Sequence, residues 1–294
     1  MKVIKIPRYF FLKNGHIRTS VSFLRKLITT RSKTIAIDFS LMKDSTKGDI
    51  TVFGAQIEKA YVEHGKSFFR SGKLPSDRKM KKLLTFSGKT VHENKPLPQY
   101  ISEGDKATLI NPTLIDTFVK DLRKIGIKEY FFPFNIFLTE VIGNAVEHGI
   151  ENRKINWWLT QDIDFGTKSI IYTFVDMGNG IIDTHKKARL PLKYWFLNDS
   201  RIVIDSFNGK LGSSTKLSNR GKGLPQLRGL IASEIVSNLT IITNKVNLRF
   251  KNDRFYSGKN PNFVGTFYSW TINSYNFEKW MNSQLKSPRT LVQN

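Results

Sequence analysis

Three polar residues at helical spacing are the first feature of the sequence that could do chemistry. Glu140, Asn144 and His148 stand at positions i, i+4 and i+8 of an apolar segment, so a helix there would project all three from one face. An amide oxygen can bind Mg²⁺, and a carboxylate can act as a general base towards water or a hydroxyl group. A solvated helix face shows the same pattern, so the spacing alone leaves both interpretations open.

A second candidate group follows an apolar strand. The segment Phe174-Val-Asp176-Met-Gly178-Asn-Gly180 ends this strand with a carboxylate and two glycines. The carboxylate of Asp176 can accept a hydrogen bond from the exocyclic amine of adenine, and the glycines allow the backbone to pass close to a ring or a ribose. An ordinary Asp/Asn/Gly turn is the alternative interpretation.

Glycines and basic residues precede a predicted helix further along the chain, and a hydroxyl residue opens the last predicted strand. Arg220, Gly221, Lys222 and Gly223 come directly before the helix. Backbone N–H groups at a helix N-terminus, together with cationic side chains, bind phosphate well. A basic loop without a ligand is the alternative. Thr266 is placed where a small hydroxyl residue could face the same site.

The order of these motifs resembles a known superfamily. E-x-x-x-N-A-x-x-H, D-x-G-x-G-I, G-x-G-L before a helix and a late G-T resemble the N, G1, G2 and terminal boxes of the GHKL (histidine-kinase-like) ATPases, over about residues 105–275. The run Asn144-Ala-Val-Glu-His148-Gly is most similar to the anti-sigma serine-kinase branch. The resemblance implies ATP and Mg²⁺ as cofactors, with Glu140 as catalytic acid/base, Asn144 as Mg²⁺ ligand and Asp176 as the adenine-reading residue. It implies nucleotide contacts at His148, Gly178, Gly180, Arg220, Gly221, Lys222, Gly223 and Thr266.

The apolar periodicity predicts the elements that would hold these motifs. On the central helix, Leu138, Val141, Ile142 and Ala145 are expected to pack against a sheet. The polar, Gly- and Ser-rich stretch 182–220 is predicted to be a mobile loop or lid. The fold class is therefore α+β, and the resemblance implies a GHKL (Bergerat) sandwich with a mixed, largely antiparallel sheet. The predicted helices cover about residues 112–124, 133–148 and 224–235, and the predicted strands cover 155–160, 169–175, 238–243 and 264–272.

The N-terminal third predicts an alternation of strands and helices, with strands at 34–40 and 66–72. Helices are predicted from the 43–49 turn to about Tyr61 and from Asp77 to about Phe86. The strand ending Ile37-Asp38-Phe39-Ser40 and the following turn resemble a STAS domain, the fold of anti-sigma-factor antagonists. That resemblance implies Ser45 and Thr46 as candidate phosphoacceptors, while helix capping by the same hydroxyls is the alternative. The predicted organisation is a STAS-like domain at 1–100, a GHKL ATP-binding domain at 105–280 and a flexible tail at 281–294.

The composition limits the partners and the compartment. The net charge is +23, and residues 1–100 hold 21 Lys and Arg against 7 Asp and Glu. Such a field favours acidic partners, nucleic acid among them, and a solvated Lys-rich surface is the alternative. The absence of cysteine excludes disulfides, thiolate metal sites and a cysteine nucleophile. No apolar run is long enough for a signal peptide or a membrane span, so we expect a cytoplasmic protein without a membrane partner. The oligomeric state does not follow from the sequence.

Three functions agree with these features. The first is an ATP-binding regulator of the anti-sigma type, a Mg-ATP-dependent serine/threonine-kinase-like enzyme that acts on a protein partner. The second is an ATP-hydrolysing GHKL switch, with Glu140 activating water, that acts with a nucleic acid or an acidic protein in defence or DNA processing. The third is a nucleotide-binding module with negligible turnover. A sensor histidine kinase is disfavoured, because no histidine lies in a long dimerisation helix and no sensor segment is present.

Overall fold

The protein has a mixed α+β architecture in a computed structural model that describes residues 1–32, 34–65, 68–70, 72–84, 112–148, 157–187, 194, 196–211, 223–251 and 254–286. The strands are β1 (Lys2–Lys5), β2 (Tyr9–Phe10), β3 (Ile35–Asp38), β4 (Asp44–Ser45), β5 (Phe69–Arg70), β6 (Trp157–Asp164), β7 (Ser169–Asp176), β8 (Ser237–Lys251) and β9 (Arg254–Asn273). The helices are α1 (Ile17–Thr29), α2 (Lys47–His64), α3 (Arg78–Leu84), α4 (Pro112–Lys120), α5 (Phe132–His148), α6 (Gly180–Lys187), α7 (Asp199–Phe207), α8 (Gly223–Ala232) and α9 (Ser274–Lys286). No helix in the described part of the chain combines the length and the apolar character required to cross a membrane.

A four-stranded antiparallel sheet with the order β6-β7-β9-β8 lies at the centre of the molecule. Its register sets Trp157 of β6 opposite Asp176 at the end of β7, and Asp176 opposite Thr266 of β9. This sheet and the helices around it confirm the predicted α+β class. The narrower assignment to the GHKL sandwich stays a prediction at this level.

Helix α5 packs on one face of the sheet through the side chains that the sequence pattern predicted. Leu138, Val141, Ile142 and Ala145 are all buried in the core that α5 shares with the sheet. Near the start of the helix, the ring of Phe134 lies 4.9 Å from that of Tyr172 on β7. Burial of each large apolar side chain contributes about 2 kcal/mol, so this face anchors the polar side of α5 firmly.

The N-terminal region covers the opposite face of the sheet, a contact that the sequence did not predict. Helix α1 packs against β9, and α2 packs against β6 and β7. The Lys47 ammonium at the start of α2 donates a hydrogen bond to the carbonyl of Gln161 on β6, at 3.2 Å. Burial lowers the pKa of Lys47, and the nearby Asp162 opposes that shift. The sheet side chains in this second core are Trp158, Val175, Ile242, Phe263 and Phe267.

Within the N-terminal region, β1, β3 and β5 form a parallel sheet in that order, and β2 pairs with β4. Strand β3, helix α2, strand β5 and helix α3 confirm the predicted strand and helix alternation. The sequence reading did not include β1 or α1. The STAS resemblance itself stays a prediction, and so do the domain boundaries, because residues 85–111 lie outside the described residues.

The prediction of a continuous lid over 182–220 is wrong in its described part. Helix α6 extends to Lys187, and α7 follows, with Asn198 capping it by accepting a hydrogen bond from the backbone N–H of Arg201 at 2.9 Å. Ile202, Val203 and Phe207 are buried in the main core. The polar and glycine-rich composition of the stretch masked this short apolar helix face, since a one-sided helix needs only a few apolar residues.

Two further boundaries differ from the predictions. Strand β8 continues to Lys251, and β9 begins at Arg254. The pattern predicted shorter strands, at 238–243 and 264–272. The predicted tail at 281–294 begins inside α9, which runs to Lys286 and packs Trp280 and Met281 on the core. The extensions of β8 and β9 pair with each other across their own hairpin, and α9 is held by core contacts; apolar periodicity reports neither.

Candidate functional site

Asp176 closes β7 as a buried carboxylate in a fixed orientation. Its side chain is 7% exposed, and its Oδ1 accepts hydrogen bonds from the backbone N–H of Gly178 at 2.8 Å and of Thr266 at 3.3 Å. Burial raises the pKa of Asp176 to about 6, and the hydrogen bonds from Gly178 and Thr266 oppose this rise. The carboxyl group is therefore held in place by the backbone on two sides.

Gly265 explains how β9 can pass so close to the backbone at the end of β7. Its φ is +88°, and a Cβ added there would lie 1.8 Å from the carbonyl oxygen of Asp176. Only glycine satisfies both conditions, because a side chain is strained at this φ and has no space. The sequence placed Gly265 and Thr266 at the opening of the last strand, but they lie inside β9, where the register sets Thr266 directly opposite Asp176.

The turn after Asp176 is held by two residues that the sequence analysis missed. At the start of α6, the N–H of Ile181 donates to Oγ1 of Thr243 at 2.9 Å, and the N–H of Ile182 donates to Oδ1 of Asn244 at 3.0 Å. The amide of Asn244 also donates to the carbonyl of Asn179 at 3.0 Å. These bonds fix the segment that carries Gly178 and Gly180. The sequence carried a signal for these two residues, because Thr243 and Asn244 directly follow an apolar run. Polar groups buried beside such a run require hydrogen-bond partners.

Glu140 and Asn144 lie together beneath the beginning of α8. A Cβ added at Gly223 would stand 2.7 Å from Oε2 of Glu140 and 3.1 Å from Oδ1 of Asn144, so the backbone approaches both side chains closely. Both are half-buried. Nδ2 of Asn144 is buried and has no hydrogen-bond partner among the described residues. The first N–H groups of a helix lack intrahelical partners. Backbone donors at the beginning of α8 and the polar side chains of Glu140 and Asn144 therefore lie close together.

The Glu140–Asn144 pair and Asp176 are carried by elements that follow one another along the chain. The chain leaves α5 at His148 and enters β6 at Trp157, whose register partner is Asp176. The polar face of α5 and the buried carboxylate are thus joined in chain order through β6. Four of the predicted nucleotide contacts lie outside the described residues, namely Arg220, Gly221, Lys222 and the side chain of His148.

The polar face of α5 offers few oxygen ligands for a metal ion. The described residues contain no group of three His, Asp or Glu side chains that could hold a metal ion by themselves. An amide and a carboxylate, as at Asn144 and Glu140, suit Mg²⁺ because this ion keeps several waters and completes its shell with substrate phosphates. Only the carbonyl oxygen of the Asn144 amide could bind the ion, whereas the buried Nδ2 without a partner is a donor and would suit a phosphate oxygen of the ligand.

Ser45 and Thr46 are engaged as structural hydroxyls. Oγ of Ser45 donates to the carbonyl of Phe10 at 2.8 Å, and the residue is buried. Thr46 is the N-cap of α2 and forms a capping box with Asp49. These contacts agree with the alternative of helix capping. Phosphorylation would require the hydroxyls to leave these partners, so their role as phosphoacceptors stays a prediction.

Comparisons with known proteins found weak structural similarity and no similarity in sequence. The chain matches no protein family, and no curated protein is similar to it in sequence. Among solved structures, it is similar to a histidine kinase domain from Erythrobacter litoralis EL346 blue-light activated histidine kinase, at 11% identity and a TM-score of 0.28. The match covers 89% of this chain and 97% of that one. A TM-score this low does not define a shared fold.

Proposed function

We propose that this chain binds Mg-ATP between α5, the end of β7 and the beginning of α8, as the motif order of the GHKL ATPases implies. The observation that carries the proposal is the buried carboxylate of Asp176. Both of its backbone hydrogen bonds go to Oδ1, from Gly178 and Thr266, and the Thr266 side chain also bonds to the carboxylate. A carboxylate has about four lone-pair sites, so Oδ2 retains the capacity to accept a hydrogen bond from the exocyclic amine of adenine. A carboxylate fixed in this way selects for a donor on the ligand.

The phosphate groups would lie beside α8 and the polar face of α5. The N-terminus of α8 favours anions, and Gly223 allows its backbone to come close. Asn144 would hold the magnesium ion together with water, and Glu140 beside it would be left for proton transfer. When bound at this site, Mg²⁺ would neutralise part of the negative charge of the phosphates.

For the activity, we infer a serine/threonine-kinase-like regulator in which Glu140 accepts the proton of a hydroxyl group on a protein partner. A carboxylate next to the phosphates can perform this step. The test is incubation of the full chain with Mg²⁺ and ATP labelled at the γ-phosphate. Label on a Ser or Thr of this chain or of a co-purified partner supports the inference, and absence of any protein label contradicts it.

A second function, an ATP-hydrolysing switch, is favoured by a contact between α2 and the adenine-side turn. Gln56 is 1% exposed, and its Nε2 contacts Sδ of Met177 and donates to the carbonyl of Val264, both at 3.3 Å. These two residues adjoin Asp176 and Gly265. A change in this turn on nucleotide binding would reach α2 and the N-terminal region directly. Release of free phosphate without label on protein would support this function.

Replacing Gln56 with leucine is expected to weaken ATP binding by about three- to tenfold, because the carbonyl of Val264 loses its partner and the turn is less well positioned. Isothermal titration with ATP measures the effect. Thr51→Val is the matched control, since Thr51 is a buried residue of α2 whose hydroxyl bonds only within the helix, to Lys47 at 3.0 Å. Equal affinity losses in the two variants would show a general effect of destabilising α2.

The affinity for adenosine is expected to fall about tenfold between pH 7.5 and pH 5, because Asp176, with its pKa raised to about 6, is mostly protonated at the lower pH. Adenosine is the suitable ligand, since it has no phosphate groups to titrate. Because the folded state raises the pKa of Asp176, protonation of this residue favours the folded state. Its contribution to stability is fully present below pH 3.8, the ordinary pKa, and is lost as the pH rises through about 6. Weaker binding at pH 5 thus does not come from unfolding at this residue. A flat profile would contradict the assignment.

A further inference from the structure

The hairpin of β8 and β9 extends well beyond the four-stranded sheet. Strand β7 pairs with β9 only from Thr266 to Asn273, so the part of β9 before Thr266 has no pairing with β7. This part pairs with β8 alone, from Asn244 opposite Phe263 to Lys251 opposite Arg254. Eight residues of β8 give a two-stranded arm of about 25 Å.

One face of this arm is anchored to the helices. The ring of Phe255 lies 5.3 Å from that of Phe207 on α7 and 5.2 Å from that of Phe250. The guanidinium of Arg228 on α8 lies 4.8 Å from the ring centroid of Phe250. Leu248, on the same face, is buried. These contacts hold the arm in a fixed position relative to the core.

The opposite face of the arm is positively charged. Arg249 lies opposite Tyr256 and Lys251 opposite Arg254 in the register, and directly opposite residues of antiparallel strands share a face. All four are exposed, and Arg249, Lys251 and Arg254 make no ion pair with any residue that the structure describes. The sequence 245–259 holds five basic residues and one acidic residue, Asp253. The charge of this face is therefore not neutralised by its own strands.

We propose that this cationic face binds double-stranded DNA. The major groove of B-form DNA admits a two-stranded β-ribbon, and ribbon proteins use strands in this way. Two cations on β8 and one on β9 can contact the phosphates that border a groove, and Tyr256 adds a hydroxyl that can bond to a phosphate. A flat anionic membrane would favour exposed apolar side chains, and this face has only the Tyr256 ring. The inference goes beyond ATP binding and does not depend on it.

The test compares two variants that lose the same charge. The first replaces Arg249, Lys251 and Arg254 with alanine, and the control replaces the exposed residues Lys2, Arg123 and Lys128. Binding of the full chain to a fluorescent DNA duplex is followed by anisotropy over a series of salt concentrations. The arm variant is expected to bind at least about tenfold more weakly, and its slope of log K against log salt is expected to fall by about 3. The control is expected to stay within about twofold of the parent chain.

Several results would overturn the proposal. They are no duplex binding by the parent chain at low salt, equal losses in both variants, or tighter binding to single strands or to anionic vesicles than to duplex. Thermal unfolding of both variants checks that the fold persists, and Arg254→Gln replaces the triple variant if it does not fold. ATP titration of the arm variant is expected to match the parent chain. A parent chain that binds DNA but not ATP would contradict the proposed function alone.

Discussion

ATP binding is expected to weaken about 100-fold when Asp176 is replaced by asparagine, with the fold retained. The backbone N–H groups of Gly178 and Thr266 both require an oxygen at the Oδ1 position, so the asparagine would keep its carbonyl there. Its NH₂ group would then occupy the Oδ2 position and face the amine of adenine. Two donors cannot bond to each other, so the variant loses a charge-assisted hydrogen bond and gains a repulsive contact.

The same substitution tests which base the site recognises. Guanine carries a carbonyl oxygen where adenine carries its amine, so an NH₂ group at the Oδ2 position suits GTP better than the carboxylate does. The ratio of the affinities for ATP and GTP is therefore expected to fall in Asp176→Asn, measured by titration of both nucleotides. An equal loss for both would indicate damage to the site as a whole.

The chain offers a closely matched control for Asp176 in Asp38. This residue also ends a strand, is 8% exposed and accepts a hydrogen bond from the backbone N–H two residues later, Ser40 at 2.9 Å. Hydrogen bonds from Ser40 lower the pKa of Asp38, whereas burial raises that of Asp176. Asp38→Asn is expected to leave ATP affinity unchanged. Unchanged affinity in Asp176→Asn as well would remove the basis of the site assignment.

Replacing Glu140 with glutamine is expected to preserve ATP binding and to lower turnover by about 100- to 10,000-fold. Glutamine has the same shape, so it still fits beneath Gly223, where Oε2 of Glu140 lies 2.7 Å from the position of an added Cβ. An amide does not accept a proton from a hydroxyl group or from water. ATP titration and single-turnover assays on the same preparation separate binding from chemistry.

Glu58 supplies the control for this second prediction. It is a half-buried helix glutamate on α2, and burial raises its pKa to about 7. Glu58→Gln is expected to retain both binding and turnover. If Glu140→Gln keeps full activity, Glu140 is not the general base. If it loses label on protein but still releases phosphate, the residue positions the protein substrate while another group activates water.

Much of the molecule could be predicted from local patterns. The polar and apolar faces of α5 follow from its 3.6-residue period, and the structure buries all four of the predicted core residues, Leu138 among them. Strand β7 ends at Asp176, close to the predicted boundary. Most of the other helices and strands lie near their predicted places because their apolar spacing repeats locally. The lid prediction failed because it followed the glycine- and serine-rich composition of the stretch and not the local signal of α7, which is a cap at Asn198 followed by the apolar residues Ile202, Val203 and Phe207.

The sequence by itself determined the order of the motifs, the residues that can do chemistry and the elements that bear them. Tertiary structure alone decided that Thr243 and Asn244 fasten the turn after Asp176, and that Gln56 connects this turn to α2. It also decided that the N-terminal region covers the second face of the sheet and that β8 and β9 extend as a charged arm. The physical reason is that these hydrogen bonds join residues 62 or more positions apart, or follow from strand pairing, whereas periodicity reports only neighbours within a few turns.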